Sequence, residues 1–508
     1  YISQNHGKAT VANLLYLTRI NRSIESGFLY VLGSSYRKTA EYWLTYFQAR
    51  YADEIASTTA LTAEEAIKVK NRRKLPLTQL KISPDGQKIA YVTNEIGKYK
   101  VYLHDLQSGD RKVILKGGHR NPFQATDYNY PLLAWNPNNQ QVAVVYEKRD
   151  VLKYFSYDLE EESGETDDLS TQFQRVYSMD FINSTNLVFS AGVRGFSDLF
   201  IYKPPSRQTE RLTNDFYDDL DATVVKLRNQ TGVLFASNRR DTLLLSAKLD
   251  TILPVDNFDL FYYDLQSRSS TLFRVTNPPD ANERRPVALD TTWYSYLSDE
   301  SGVYNRYSGY LEDVIDFYEQ VITLEDSTEI VMHQDSTLES LDSTLIIDIS
   351  LRPVYKTIGN NRPNSNYAQN IKSIHTAPRA NKAVEMVYTQ DQDYFYVYTP
   401  TPSEIIQPTL TRYQLQRQQL ALLRSKTTDS PGNTGIEELI QDQQLREKED
   451  VEPITEVLPE SARDTGSIDI DNYLFQSEFD DEEEAVTIVV EEDDESRITL
   501  QRPAENIP

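Results

Sequence analysis

The chain contains no cysteine, which excludes disulfide bridges, thiolate zinc sites and a cysteine nucleophile. Histidine is nearly as scarce: His6, His104, His119, His333 and His375 are scattered, and no two stand four residues apart. The paired imidazoles of an HExxH helix are therefore missing. No serine sits in a GxSxG elbow, and no glycine-rich loop has phosphate-binding spacing. No apolar run reaches the roughly 18–20 residues that cross a bilayer as a helix. Positive charge is also short, with 52 Lys and Arg against 77 Asp and Glu and a net charge of −25. Such a field repels phosphate backbones and anionic lipid, so nucleic acid and acidic membrane surfaces are excluded as general partners.

What is present is enough for a large core. The 508 residues are 39% hydrophobic and include 34 tyrosines, which points to more than one domain. One stretch organises the rest: SPDGQKIAYVTNEIGKYKVYLHDLQSG, from Ser83. Pro84, Asp85 and Gly86 make a tight turn from a fixed φ, a side chain that bonds its own backbone and a residue free to take positive φ. Ile89 and Tyr91 then face one way and Ala90 and Val92 the other, so this strand needs cover on both sides. A second strand covers residues 101–106, Gln107, Ser108 and Gly109 reverse the chain, and residues 112–115 run back.

The same plan returns at Asn136, Ile182, Arg228, Leu289 and Ala377, giving spacings of 53, 46, 46, 61 and 88 residues from Ser83 onward. Four strands with their turns need roughly 40–50 residues, the period of a propeller blade. The 61 is lengthened by an insertion around residues 243–257. The 88 is lengthened by an excursion over residues 312–366, which reads as strands extended beyond a blade or as a hairpin. Six sheets set radially hide strands that are apolar on both faces and leave only short edges.

SPDGQKIAYV followed by VYLHDLQSG, and RLTNDFYDDLDA followed by LFASNR, resemble the PD40-type, WD40-like repeats of TolB-like six-bladed propellers of bacterial envelopes. The resemblance covers about residues 75–400. It implies a mainly β fold, a six-bladed TolB-like propeller with an N-terminal helical segment and a C-terminal acidic, largely disordered tail. It also implies protein partners in the periplasm; fold alone names no activity.

Before the repeats, residues 1–60 read as helices: Val11, Leu14, Leu15 and Thr18 share a face, Gly33 is a stop, and Ala40, Trp43, Leu44 and Phe47 repeat the stripe. They read either as a cap on the propeller or as the end of another domain, since YISQNHGKATVANLLYLTRI onward resembles the last helices of peptidase-MA-like gluzincin metallopeptidases. That resemblance implies a zinc site upstream of Tyr1; no cofactor is expected within this chain. Thr62 to Glu65 has capping-box spacing and predicts a short linker helix to Lys70 within residues 61–75. The basic residues Lys68, Lys70, Arg72, Arg73 and Lys74 read as a solvated hinge.

Inside the repeats (residues 76–400), Asp215, Asp218, Asp219 and Asp221 are the metal candidates, because clustered carboxylates suit calcium. The competing and preferred reading is an inter-blade loop closed by Asp and Asn side chains. Trp135, Trp293 and the tyrosines around Tyr294 and Tyr304 read as core between blades. Residues 401–466 read as a polar helix and linker, and residues 467–508 as an acidic tail. Within the tail, Tyr473, Leu474 and Phe475 are candidate partner-binding residues. DNYLFQSEF resembles the segment preceding an outer-membrane β-barrel in Bacteroidetes-type envelope proteins, which implies a chain cut at both ends and linked to such a barrel.

No catalytic constellation is present. The leading expectation is a periplasmic, outer-membrane-associated scaffold that binds envelope proteins, such as the outer-membrane assembly or secretion machinery. The alternatives are a regulatory part of a zinc metallopeptidase and a propeller that binds a small ligand or glycan.

Overall fold

The computed structural model describes residues 1–169, 171–244, 254–324, 328–333 and 346–427. The described residues fall into two compact units, residues 1–40 and residues 41–427. The candidate segment Tyr473, Leu474 and Phe475 lies outside the described residues, as does the acidic tail.

In the first unit, helices Lys8–Asn21 and Ile24–Leu32 follow a short helix, Ile2–His6. The Ser23 hydroxyl accepts from the Ser26 N–H at 3.3 Å and caps the third helix. Gly33 ends it at φ 68°, as its position predicts. Gly27 is required by contact, because a β-carbon there would stand 2.2 Å from the Thr18 hydroxyl. The predicted apolar stripe is only partly used: Leu14 is buried and Leu15 exposed, and Trp43 and Leu44, which belong to the second unit, are exposed.

The second unit is mainly β and has the architecture of a propeller. Among the described residues six antiparallel sheets follow one another along the chain, their first three strands laid out in sequence order from an inner strand outward. The inner strands are Leu77–Ile82, Leu132–Trp135, Arg175–Phe181, Asp219–Leu227, Glu283–Ala288 and Ile371–Ala377. Each adjoins the next, and Ile371–Ala377 adjoins Leu77–Ile82 in turn. All six sequence starts fall in, or at the edge of, the turn between the inner strand and the second strand of a sheet. The first turn is built as its residues dictate: Gly86, at φ 67°, donates its N–H to the Ser83 carbonyl at 2.8 Å.

Six apolar clusters fill the gaps between neighbouring sheets. Strand Lys88–Glu95 is buried from Ile89 through Asn94, the both-faces burial its sequence requires. Trp135 packs between the first two sheets and donates its indole N–H to the Lys81 carbonyl at 3.1 Å. One cluster joins Leu77, Leu80 and Tyr91 of the first sheet to Val384, Met386 and Phe395 of the last. That cluster is the closure of the ring.

The predicted linker helix is corrected. Residues 62–70 are turns and extended chain, although Glu65 still accepts from the Thr62 N–H at 3.3 Å. The physical reason is tertiary. The last sheet has three strands, Ile371–Ala377, Lys382–Thr389 and Gln392–Tyr398, and its outer edge is open to pairing. Ile67 fills that edge by donating its N–H to the Phe395 carbonyl at 2.8 Å. Ala66 is buried between the fifth and last sheets, and Ile67 and Val69 pack on the closing cluster. The chain before the ring thus completes its last sheet, while Leu77–Ile82 serves the first.

The excursion after the fifth sheet is a β-arm. Strands Asn305–Leu324 and Ile346–Pro363 pair from Tyr307 with Pro363 out to Leu324 with Ile346, and Glu329–His333 adds a third strand near the tip. At its root the arm remains part of the sheet through pairing with Trp293–Ser298.

Candidate functional site

Three places in the second unit bring chemistry-bearing side chains together: the axis of the ring, the junction of the third and fourth sheets, and a cavity on the fifth.

At the axis, inner strands bulge. Register slips between Thr78 and Lys81, Leu220 and Thr223, and Arg284 and Val287, and Gln79, Asp221 and Arg285 take positive φ there. The bulges turn charged side chains inward. Asp221 accepts from Arg284 Nε at 2.7 Å and from the Arg285 N–H at 3.1 Å. Burial by itself would raise the Asp221 carboxyl, but the two arginines overcome it and hold the group below its usual range. Asp180 accepts from the Val224 N–H at 2.8 Å, and burial raises its carboxyl against the attraction of Lys81. Burial lowers the Lys81 ammonium, which feels Asp180, Arg285 and Asp221 from three other sheets. His375 accepts from the Ile82 N–H through Nδ1 at 3.2 Å, and burial together with Lys81 keeps its imidazole neutral. The axis is therefore a set of compensating charges.

The four aspartates singled out in the sequence separate into different roles. Asp215 and Asp219 converge with Asp198, all three buried. A fully buried arginine sits on them: Arg239 bonds both oxygens of Asp219 at 2.7 and 2.8 Å and stands 3.3 Å from Asp215. The Phe235, Phe261 and Tyr217 rings flank the guanidinium at 5.8, 5.7 and 5.4 Å. Burial and the Asp219 charge raise the Asp215 carboxyl, and burial pushes Asp198 up to about 7 despite its bond to Arg211. Asp218 holds a turn instead, its N–H donating to Asn238 Oδ1 at 2.9 Å. Asp221 lies at the axis. The cation on this cluster is thus the protein's own Arg239, which charge spacing did not single out because it enters 20 residues beyond Asp219. Its signal was the motif LFASNR, where an arginine stands two residues past the end of a strand apolar on both faces.

On the fifth sheet, a cavity of about 560 Å³ opens beside Glu283, lined also by Tyr296, Tyr307, Glu300, Pro408 and Gln418. Glu283 is buried and accepts from the Thr276 hydroxyl at 2.9 Å. Burial, and then the charge of nearby Asp259, push its carboxyl well above the usual range. Tyr307 donates to Glu300 at 2.9 Å.

The basic run before the ring is partly paired, Arg73 standing 2.9 Å from Glu95. Among the described residues no helix is long and apolar enough to cross a membrane.

No family model matches the chain, and no curated protein matches it. Solved structures do. TolB from Acinetobacter baumannii is similar over 46% of this chain and 51% of its own, at 15% identity and a TM-score of 0.35. The β-propeller domain of the Trilobed protease from Pyrococcus furiosus is similar over 66% and 82%, at 15% identity and a TM-score of 0.36. The acylaminoacyl peptidase of Pyrococcus horikoshii is similar over 68% and 46%, at 12% identity and a TM-score of 0.35. This chain thus spans about half of the TolB chain it resembles, and likenesses of this size assign neither a family nor an activity.

Proposed function

We propose that the chain is a closed six-bladed, TolB-like propeller that acts as a protein-interaction scaffold in the periplasm, beside the outer membrane, in assembly, transport or envelope maintenance. The observation that carries this reading is the β-arm. Past Leu311, where it leaves the sheet, it continues for 13 residues to Leu324, roughly 45 Å of strand. Ile349, Leu351 and Tyr355 alternate onto one face, 47, 59 and 61% exposed, and Ile315, opposite Tyr355, and Tyr318, opposite Pro353, are exposed too. An apolar ribbon exposed along much of its length, with Val321 and Ile322 buried towards its tip, is costly in water and hazardous at its edges, which a protein partner would relieve. The root is fixed to the ring: Arg228 pairs with Asp313 at 2.8 Å, and Asn361 Nδ2 donates to the Val275 carbonyl at 3.2 Å. A rigid ring holding out an apolar blade suits docking better than turnover.

The test is a triple variant, Ile349→Ser, Leu351→Ser and Tyr355→Ser. The wild-type chain captures a defined partner from solubilised envelopes of the source cells. The variant, with an unchanged urea midpoint, loses it by at least ten-fold. Equal capture by both proteins would remove the arm from the account.

A further inference from the structure

The fourth and fifth sheets can be superposed strand pair by strand pair, and the comparison shows a missing cation. In the fourth sheet Asp219 pairs with Ser237, and Phe235 with Phe261. In the fifth Glu283 pairs with Ser298, and Tyr296 with Tyr307. The correspondence is direct: an acid opens the inner strand, a serine closes the second, and two aromatic rings face each other two residues earlier. The third strands of the sheets that precede them, the third and the fourth, agree with each other as well. Asp259 is bonded by Arg274, and the Leu260 N–H donates to the Thr276 hydroxyl at 2.8 Å; one sheet earlier Asp198 is bonded by Arg211, and Leu199 donates to Thr213 at 2.9 Å.

The sheets part company two residues after the serine. The fourth sheet places Arg239 there, on the acid and against both rings. The fifth places Glu300, which is exposed and takes a hydrogen bond from Tyr307. Among the described residues Glu283 therefore has no guanidinium partner. In its place lies the cavity of about 560 Å³, and none of the residues lining it is Lys or Arg.

We propose that this cavity is a binding site for a guanidinium group, seated on Glu283 against the Tyr296 and Tyr307 rings as Arg239 is seated on Asp219 against Phe235 and Phe261. The chemistry is that of an arginine side chain on a partner protein or of a small guanidinium compound. A planar fork matches a carboxylate in two bonds and stacks on aromatic faces, which an ammonium does not reproduce. Glu300 at the mouth adds a second negative charge. The buried Glu283 carboxyl gives up its proton when the cation arrives, so occupancy at neutral pH is accompanied by proton release. The proposal is independent of the β-arm.

The experiment is isothermal titration of the full chain at pH 7 and low salt with agmatine, acetyl-arginine amide, a Gly-Arg-Gly peptide and acetyl-lysine amide, repeated in two buffers of different ionisation enthalpy. Saturable binding of the guanidinium probes, at least ten-fold tighter than the lysine probe and with proton release, is expected. A peptide at least ten-fold tighter than agmatine identifies a protein side chain as the natural occupant; agmatine as tight or tighter identifies a small compound. Glu300→Arg supplies the missing cation from within and is expected to abolish binding and raise the melting temperature. Glu283→Gln is expected to weaken binding at least ten-fold. No saturable binding, or binding that Glu300→Arg leaves unchanged in a folded protein, overturns the proposal.

Discussion

Replacing Arg239 with Met tests whether the junction of the third and fourth sheets is held by charge. Methionine keeps much of the volume between Phe235, Phe261 and Tyr217, so the change removes the guanidinium more than the packing. It leaves Asp219 and Asp215 buried without their counter-ion. Breaking a buried pair from one side costs about 3–5 kcal/mol. A ring of about 320 residues unfolds with an entropy near 0.7 kcal/mol/K, so this loss corresponds to a fall of about 4–8 °C in melting temperature. The loss depends on pH. Asp215 already sits above its usual range, through burial and then the Asp219 charge. A carboxyl raised in the folded state keeps its proton after the unfolded chain has lost its own, so stability falls as pH rises from the unfolded value through the folded one. Removing Arg239 takes away the attraction that holds the Asp215 carboxyl down, raises it further and carries that window towards neutrality. The deficit against the wild type, measured by urea melts, is therefore smallest near about pH 4.5 and largest at about pH 7.5. A deficit under about 1 kcal/mol, or one equal at both pH values, would refute the reasoning.

Two further substitutions address closure of the ring. Phe395→Ala empties a fully buried site in the cluster joining the last sheet to the first, and is expected to cost about 3–5 kcal/mol by urea denaturation. A cost below about 1 kcal/mol would mean that the two sheets are not packed together. Ala66→Asp places a charge between the fifth and last sheets, and a loss of about 3 kcal/mol is expected. A solvated linker helix at this position would tolerate the change with no measurable effect.

Much of this fold was legible because its signals are local. Pro84, Asp85 and Gly86 specify their turn whatever surrounds them, and Ile89 to Val92 declare cover on both faces through alternation alone. Repetition then located the sheets. The signals that misled were outvoted by tertiary contacts: Thr62 and Glu65 have the spacing of a helix start, but the open edge beside Phe395 offers Ile67 a backbone partner and Ala66 an apolar seat. The acidic string from Asp215 to Asp221 was legible as charge and not as geometry. A strand bulge sends Asp221 to the axis while its neighbours turn to Arg239 and Asn238. Glu283 was missed altogether, because a lone Glu before two arginines looks like a solvated charge run; only pairing it with Ser298 shows that it repeats Asp219. The excursion was readable as extended strands, but its exposure is a property of the folded chain.

The claim that matters most is that the β-arm holds a protein partner. It is tested most directly by placing a photo-reactive p-benzoylphenylalanine at Tyr355, on the apolar face of the arm, and at Tyr388, an exposed position on the last sheet, and irradiating intact source cells. One discrete protein adduct at position 355, absent at position 388, is the predicted result. No adduct at position 355, or the same adducts at both positions, would contradict it.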